Sequence, residues 1–169
     1  ACIPSVASHL LPRVLRAFAV ALPEVQVHVI DESASQVLDA VVRGDADFGL
    51  SFTGSQESAL RFEALMRERY VLAMQRGHRW AGRKDVAWAE LAGQRLVSVS
   101  RDSSNRLLLD QATADLPEQP VAWYECNHVA GALALVEAGL GLAVLPQLAL
   151  PAEHPQVCGV PLIEPDLWR

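Results

Sequence analysis

Hydrophobic residues recur along the first third of the chain at spacings that alternate between those of strands and helices. Ala1–Ile3 predicts the stub of a strand, and Pro4–Ser8 a turn after it. A first amphipathic helix, with Ser5 or Ser8 near its cap and its end at Pro23, is predicted from apolar residues three or four positions apart: Leu10, Leu11, Val14, Leu15, Phe18 and Leu22.

Valines then alternate with polar residues over Val25–Val29, which predicts a half-buried strand. Ser33 and Gln36 have capping-box spacing and open a second helix, which stops at Gly44. Asp45–Phe52 is a predicted turn that enters a third strand. Strands and helices that alternate over such a short distance require right-handed crossovers and a parallel sheet.

The rest of the chain repeats this alternation and predicts a second α/β lobe. Strands are predicted over Leu60–Met66, Tyr70–Met74, Leu96–Val99, Val121–Glu125 and Val157–Ile163. Helices are predicted over Val86–Leu91, Leu107–Ala114 and Val129–Ala138.

The most distinctive stretch is Val136–Pro146, which combines an apolar helix end, a glycine break, a buried strand and a proline that stops it. Gly139 and Gly141 lie where the backbone leaves the helix and reverses onto the sheet. Leu142–Leu145 has no polar residue, as expected of a strand covered on both faces. Open α/β sheets bind ligands at the carboxyl ends of their strands, so this stretch indicates where a site lies.

Composition indicates a soluble globular domain. The 169 residues are 51% hydrophobic and carry a net charge of -6, whereas a surface built to neutralise phosphates concentrates Lys and Arg. The longest basic run is Arg83-Lys84, and no stretch approaches the roughly 18 apolar residues that span a bilayer. We therefore expect a cytoplasmic chain that contacts neither membrane nor nucleic acid by itself.

The three cysteines, Cys2, Cys126 and Cys158, are widely spaced. This pattern favours reduced thiols in the cytosol over a disulfide framework or a zinc site, and each thiol is interpreted as a small buried hydrophobe. A redox pair of Cys126 with Cys158 is the alternative.

Polar residues follow the predicted strands at matching positions in both lobes. They are Ser5, Ser33, Ser35 and Ser51 in the first lobe, and Ser100, Ser103, Asn105, Asn127 and His128 in the second. Hydroxyls, amides and the free N–H groups of helix N-termini can hold an anion, although the same residue types also serve as ordinary helix caps.

The titratable side chains form no catalytic or metal-binding pattern. The five histidines are scattered, and the chain has neither a Gly-x-Ser-x-Gly elbow nor a His-Glu-x-x-His helix. His128 is the one histidine near the predicted site, as a ligand contact or cap rather than a base. Arg106 either faces an anion or forms a salt bridge on the helix surface. We predict no enzymatic activity, no metal and no cofactor.

The order and spacing of several motifs resemble the effector-binding domain of bacterial LysR-type transcriptional regulators over nearly the whole chain. The motifs are Pro4-Ser5 with Leu10-Leu11-Pro12, Pro23 before the valine-rich strand, Gly44–Leu50, Gly77-His78, Ser103-Ser104-x-Arg106 and Glu137–Pro146. The last of these is the most specific match.

The resemblance implies two Rossmann-like α/β lobes, similar to type 2 periplasmic binding proteins, with a small-molecule effector in a hinged cleft. Lobe I would be residues 1–72, without its return strand and final helix, and lobe II residues 73–169. The implied effector-binding residues are Ser5, Ser33, Ser35, Ser51, Phe52, Ser100, Ser103, Asn127, His128 and Pro146. Ala34 stands where many members carry a hydroxyl, so Ser33 or Ser35 substitutes for it or that contact is missing.

The resemblance also implies partners. DNA would be contacted only through the family's N-terminal winged helix-turn-helix, which this sequence lacks, and effector binding would alter the lobe angle and thus the placement of that domain. Homodimers would pair the first helix of one chain with the other lobe of its partner. The core-facing residues of that helix would be Leu11, Val14, Leu15 and Phe18. The full-length protein would be a tetramer. A solute-binding protein of a transport system, which shares the fold, is the alternative function.

Overall fold

The computed structural model describes residues 1–52, 58–101 and 103–169, which fold as two compact units, Ala1–Leu65 and Met66–Arg169. The helices are α1 (Pro4–His9), α2 (Leu11–Ala21), α3 (Ala34–Val42), α4 (Ser104–Ala112) and α5 (Val129–Glu137). The strands are β1 (Tyr70–Gln75), β2 (Val86–Ala87), β3 (Leu96–Val99), β4 (Ala122–Cys126), β5 (Leu142–Pro146) and β6 (Val157–Ile163). Asp102, in the predicted polar turn after β3, lies outside the described residues.

Three extended segments lie side by side in the first unit, in the order 30–32, 1–3 and 48–50. Cys2 forms parallel bridges with Asp31 on one side and Leu50 on the other. The Cys2 N–H donates to the Ile30 carbonyl over 2.8 Å, and the Ile3 N–H to the Leu50 carbonyl over 3.1 Å. Each of these pairings is a single bridge rather than a ladder.

Two helices follow the first segment where the sequence predicts a turn and one helix. Pro4 occupies the first position of α1, where its missing N–H leaves no helical bond unmade and its fixed φ fits the helix. The N-cap positions of α1 and α2 belong to Ile3 and Leu10. The predicted turn over Pro4–Ser8 and the predicted cap at Ser5 or Ser8 are therefore wrong.

The predicted burial of the apolar residues in this region is partly wrong. Leu11, Leu15 and Phe18 of α2 are half-buried, but Val14 is 50% exposed. The valines of Val25–Val29 are exposed as well, and this segment forms no strand. Pairing begins only at Ile30, beyond the alternating valines, so no neighbouring strand covers them.

The bounds of the second helix of the first unit agree with the prediction, but the capping box of Ser33 and Gln36 does not form because the Ser33 hydroxyl bonds to the Gln36 side chain. α3 begins after Ser33 and ends before Gly44, whose φ of +77° is the left-handed conformation expected after a helix. Gly49 lets the third segment approach α3 closely, because a Cβ there would lie 2.8 Å from Val37 Cγ1.

A six-stranded mixed sheet in the order β2-β6-β1-β5-β3-β4 organises the second unit. β3 runs parallel to β4 and β5, as predicted, whereas β1 is antiparallel to β5 and β6. Just before β1, Glu68 and Arg169 exchange backbone hydrogen bonds of 3.0 and 2.9 Å. The parallel sheet predicted for the first third of the chain agrees with the two parallel bridges of Cys2, and the antiparallel pairings of β1 belong to the second unit.

Both faces of the sheet are covered. One face carries Tyr70, Leu72 and Met74 of β1 beneath Trp88 and Leu109, and the other packs against α5. The predicted strand over Leu60–Met66 is extended chain without a ladder, and the predicted helix over Val86–Leu91 is β2 followed by a 3-10 turn.

The stretch that ends at β5 agrees with the prediction. Gly139 has a φ of +76°, and β5 is buried at four of its five residues. A Cβ on Gly141 would lie 2.5 Å from the Arg95 carbonyl oxygen, so only glycine fits at this approach to β3.

Candidate functional site

The predicted residues of the first unit occupy one edge of its three parallel segments. Ser5 follows the central segment, Ser33 and Ser35 follow residues 30–32, and Ser51 with Phe52 follows residues 48–50. Parallel segments end at the same edge, so the fold brings these turns to one side of the unit. Ser5 is buried, whereas Ser33 and Ser35 are exposed.

The exposed hydroxyls at the start of α3 bond to side chains. Ser33 Oγ donates to Gln36 Oε1 over 2.5 Å and lies 3.3 Å from Ser35 Oγ. Ser33 occupies the N-cap position but makes no side-chain capping bond to the helix backbone. Ser51 Oγ donates to the Phe52 carbonyl over 3.3 Å.

The predicted residues of the second unit lie where three parallel strands end. Ser100 follows β3, Asn127 and His128 follow β4, and Pro146 is the last residue of β5. β5, β3 and β4 are consecutive neighbours in the sheet, so these residues share its carboxyl edge. The Ser100 N–H donates to the Cys126 carbonyl over 2.8 Å, which ties the turns after β3 and β4 together.

Two helix N-termini open at this edge. Ser103 is the N-cap residue of α4 and His128 that of α5, and neither side chain makes a capping hydrogen bond. The alternative that these residues act as ordinary side-chain caps is therefore not observed. First-turn N–H groups carry partial positive charge, so both helix starts can receive an anion.

A buried polar network next to this edge was missed by the sequence analysis. Asn105 Oδ1 accepts hydrogen bonds from the Tyr70 hydroxyl at 2.8 Å and from Arg169 Nη1 at 2.9 Å. Glu68 pairs with Arg169 and also accepts the Leu148 N–H over 2.7 Å. Burial, opposed by the nearby Arg169 charge, raises the pKa of Tyr70 to about 12. The members of this network lie up to 101 positions apart in the sequence, so no local sequence pattern predicts it.

Arg106 forms the surface salt bridge that the sequence left open as an alternative. Its Nε donates to Asp110 Oδ1 over 2.6 Å, one helical turn along α4, and its Nη1 donates to Ser98 Oγ over 3.0 Å.

The proposed redox pair of Cys126 and Cys158 is incompatible with the sheet. Cys158 in β6 and Cys126 in β4 pack against opposite faces of the sheet. Three strands, β1, β5 and β3, lie between β6 and β4. Four strand spacings place them roughly 19 Å apart, whereas a disulfide needs Cα atoms within about 7 Å. Burial raises the pKa of the Cys158 thiol.

The histidines do not form a metal site in the part of the chain that the structure describes, where no cluster of His, Cys, Asp and Glu could hold an ion. His154 instead closes a loop: its Nδ1 accepts the Val157 N–H over 3.0 Å, and its Nε2 lies 2.7 Å from Glu137 Oε1. None of the described helices has the length and apolar character that crossing a membrane requires.

The family model of the LysR substrate binding domain matches residues 1–169. The chain belongs to this family of transcriptional regulators, whose members are not enzymes, and it has the periplasmic-binding-protein-like α/β fold of their effector-binding domains.

Two relatives illustrate the similarity in sequence. The uncharacterised HTH-type transcriptional regulator YbhD of Escherichia coli K12 is 36% identical over 170 residues, which are all of this chain and 54% of that protein. The DNA-binding transcriptional dual regulator OxyR of the same strain is 27% identical over 99% of this chain and 55% of its own length. The chain thus spans about half the length of these relatives.

Solved structures of regulatory domains have the same fold as this chain. The reduced form of OxyR has a TM-score of 0.77 at 26% identity over 99% of this chain and 80% of that one. The regulatory domain of CcmR from Synechocystis PCC6803, in complex with 2-PG, has a TM-score of 0.82 at 17% identity over 99% and 82%. The effector-binding domain of QuiR, in complex with shikimate, has a TM-score of 0.81 at 18% identity, over 99% of this chain and 81% of that one. These comparisons give no support to a transport solute-binding protein.

Proposed function

We propose that this chain senses a small anionic effector for a LysR-type regulator, through the ten residues predicted from the sequence. The observation that carries the proposal is the shared carboxyl edge of β5, β3 and β4, where Pro146, Ser100 and Asn127 lie beside two uncapped helix N-termini. Two N-terminal dipoles and several hydroxyls favour a negative charge without requiring a cation.

The structural neighbours support a small molecule as the effector. The CcmR regulatory domain is in complex with 2-PG and the QuiR effector-binding domain with shikimate, on the fold that this chain shares. We propose that the effector lies between lobe I (residues 1–72) and lobe II (residues 73–169), so that Ser5, Ser33, Ser35, Ser51 and Phe52 contact it from the first lobe.

We also propose that the domain forms a homodimer, and that the intact regulator is a cytoplasmic tetramer that binds DNA through a winged helix-turn-helix. Exposed apolar side chains support the dimer. In the first unit α2 exposes Val14 and Val20, the latter at 83%. In the second unit Leu107 of α4 and Trp123 of the edge strand β4 are more than half exposed. A second copy that covers these surfaces would remove apolar area from water.

Calorimetric titration tests the effector site. A panel of small carboxylates and phosphates is titrated into the wild-type chain, Ser103→Ala and the control Ser8→Ala, which removes an exposed hydroxyl of α1. We expect at least one anion to bind the wild type and the control, and Ser103→Ala to bind it about fivefold to tenfold more weakly, as loss of one hydrogen bond predicts. If no anion binds, or if Ser103→Ala binds equally well, the proposed site is wrong.

The gene upstream of Ala1 tests the rest of the proposal. We expect it to encode a winged helix-turn-helix. A secretory signal sequence there would contradict both the cytoplasmic location and the role in transcription.

A further inference from the structure

A cavity of about 550 Å³ lies inside the second unit, between α4 and one face of the sheet. Small-molecule sites in proteins have volumes of roughly 300 to 1,000 Å³, so the cavity has the size of a ligand site. Among its described lining residues are Trp88, Leu96, Ser98, Arg106, Leu109 and Val144. The described lining includes none of the ten residues assigned above to the effector.

The cavity lies between α4 and small side chains of the strands. Leu109 is the one buried residue of this helix. Under the helix, β3 and β4 present Ser98 and Ala122, two side chains too small to fill the gap. The β3–β4 register is also irregular between Leu96 and Val97, which disturbs the surface on which a helix would pack. The cavity is open to solvent on one side, so a ligand can enter it.

The lining combines an apolar wall with a charged rim. Trp88, Leu96 and Leu109 are buried hydrophobic residues of the core on that face of the sheet. At the rim, Arg106 donates hydrogen bonds from Nε to Asp110 and from Nη1 to Ser98. Its Nη2 has no hydrogen-bond partner among the described residues. Asp110 is 54% exposed, so water can solvate it when another anion takes its place on the guanidinium. Arg101 and Asp110 also line the cavity, so its lining carries two arginines and one carboxylate, a net positive charge.

We propose that this cavity is a second ligand site, which binds a small amphipathic anion. An aromatic ring or short alkyl chain packs against Trp88 and Leu96, and a carboxylate accepts hydrogen bonds from Arg106 at the rim. Guanidinium and carboxylate form strong charge-assisted bonds, which favours this head group over a neutral one. The site is additional to the proposed effector site and does not depend on it.

The test uses 1-naphthoate as the probe and the tryptophan indole N–H signals of the chain as reporters in NMR spectra. The chain has four tryptophans, and the Trp88 indole N–H donates to the Pro165 carbonyl over 2.9 Å, which gives it a defined environment. Trp88→Phe assigns the signal. We expect a saturable shift of the Trp88 signal on titration, with the Trp80 and Trp168 signals unmoved because those rings do not line the cavity.

Three variants locate the probe. Arg106→Gln is expected to weaken binding about tenfold, by loss of the charged hydrogen bonds. Ala122→Phe is expected to abolish binding because it fills the cavity from the strand side. Arg61→Gln removes the same charge from a side chain that is 90% exposed elsewhere, and should bind like the wild type.

Circular dichroism establishes that each variant is folded. If Ala122→Phe does not fold, the comparison of Arg106→Gln with Arg61→Gln still decides the question. The proposal is wrong if the Trp88 signal does not shift, or if 1-naphthoate binds Arg106→Gln as tightly as it binds Arg61→Gln.

Discussion

The Tyr70 hydroxyl donates a hydrogen bond of 2.8 Å to Asn105 Oδ1, and this bond joins the first residue of β1 to the first turn of α4. The same oxygen accepts a bond from Arg169 Nη1, so Asn105 holds together two segments that flank the sheet. The turn before α4 contains Ser100 and Ser103, two of the residues proposed to contact the effector. The network therefore fixes the backbone on which that part of the site is built.

We expect Asn105→Ala to lower the free energy of unfolding by about 2 to 4 kcal/mol, because it removes the acceptor of two hydrogen bonds, one from the Tyr70 hydroxyl and one from Arg169 Nη1. Tyr70→Phe should cost about 1 to 2 kcal/mol, since it removes one donor and keeps the ring. Tyr124→Phe is the matched control, because within the described residues the Tyr124 hydroxyl makes no hydrogen bond. Urea denaturation measures all three, and equal effects of the two tyrosine substitutions would contradict the assignment.

The Glu68–Arg169 pair is nearly buried, with side chains 11% and 3% exposed. Removing one partner leaves the other charge in a low-dielectric site, so we expect Glu68→Gln to destabilise the chain by about 3 to 5 kcal/mol. Asp45→Asn breaks the exposed pair of Arg43 and Asp45, and should have a much smaller effect because water screens both charges. Thermal unfolding of both variants tests this, and similar shifts in Tm would show that burial of the Glu68 pair is unimportant.

The raised pKa of Tyr70 predicts a loss of stability at alkaline pH. In the unfolded chain the phenol has its ordinary pKa of about 10, and in the folded chain a pKa of about 12. Between these values the unfolded chain binds fewer protons than the folded one, so the free energy of unfolding falls as pH rises. The fall from this group reaches about 3 kcal/mol once pH exceeds 12. Comparison of wild type with Tyr70→Phe between pH 9 and 12 checks this, since the variant should lack that part of the fall.

The strands of the second unit were the part of the fold most accurately predicted from sequence. β3 and β6 have the predicted bounds, and β5 extends its prediction by Pro146. Continuous apolar runs specify these strands because both faces of the sheet are covered. The alternating valines of Val25–Val29 carry equally regular information, but alternation specifies a strand only where a neighbour pairs with it. Helix α1 was missed because Pro4 and Ser5 fit a turn as well as a first helical turn.

The candidate site was predictable only in outline. Once β3, β4 and β5 are parallel neighbours, topology brings Ser100, Asn127 and Pro146 to one edge, so strand order suffices. Contacts distant in sequence are not encoded in this way. Glu68 and Arg169 meet across 101 positions, and the cavity under α4 arises from small side chains on two different strands.

The separation of Cys126 and Cys158 predicts that this chain forms no internal disulfide between them when treated with hydrogen peroxide. Several relatives are hydrogen peroxide-inducible genes activators, and for this reason hydrogen peroxide is the oxidant chosen for the test. Burial raises the pKa of Cys2 and of Cys158, which keeps both thiols protonated and slow to react near neutral pH. Mass spectrometry of peroxide-treated, non-reduced peptides measures the outcome, and a Cys126–Cys158 linked peptide would contradict the sheet order.

The close approach of Gly141 to Arg95 makes a paired glycine substitution informative. Gly141→Ala would place a Cβ 2.5 Å from the Arg95 carbonyl oxygen, and the chain would have to move because that oxygen belongs to the backbone. We expect a loss of about 1 to 3 kcal/mol, as for other overpacked interiors. Gly77→Ala is the control, since a Cβ there meets nothing within 4 Å and φ is not in the left-handed region. That variant should be neutral or more stable by about 0.4 to 1 kcal/mol, because alanine restricts the unfolded chain. Chemical denaturation measures both variants, and a neutral Gly141→Ala would show that the junction before β5 is looser than its geometry indicates.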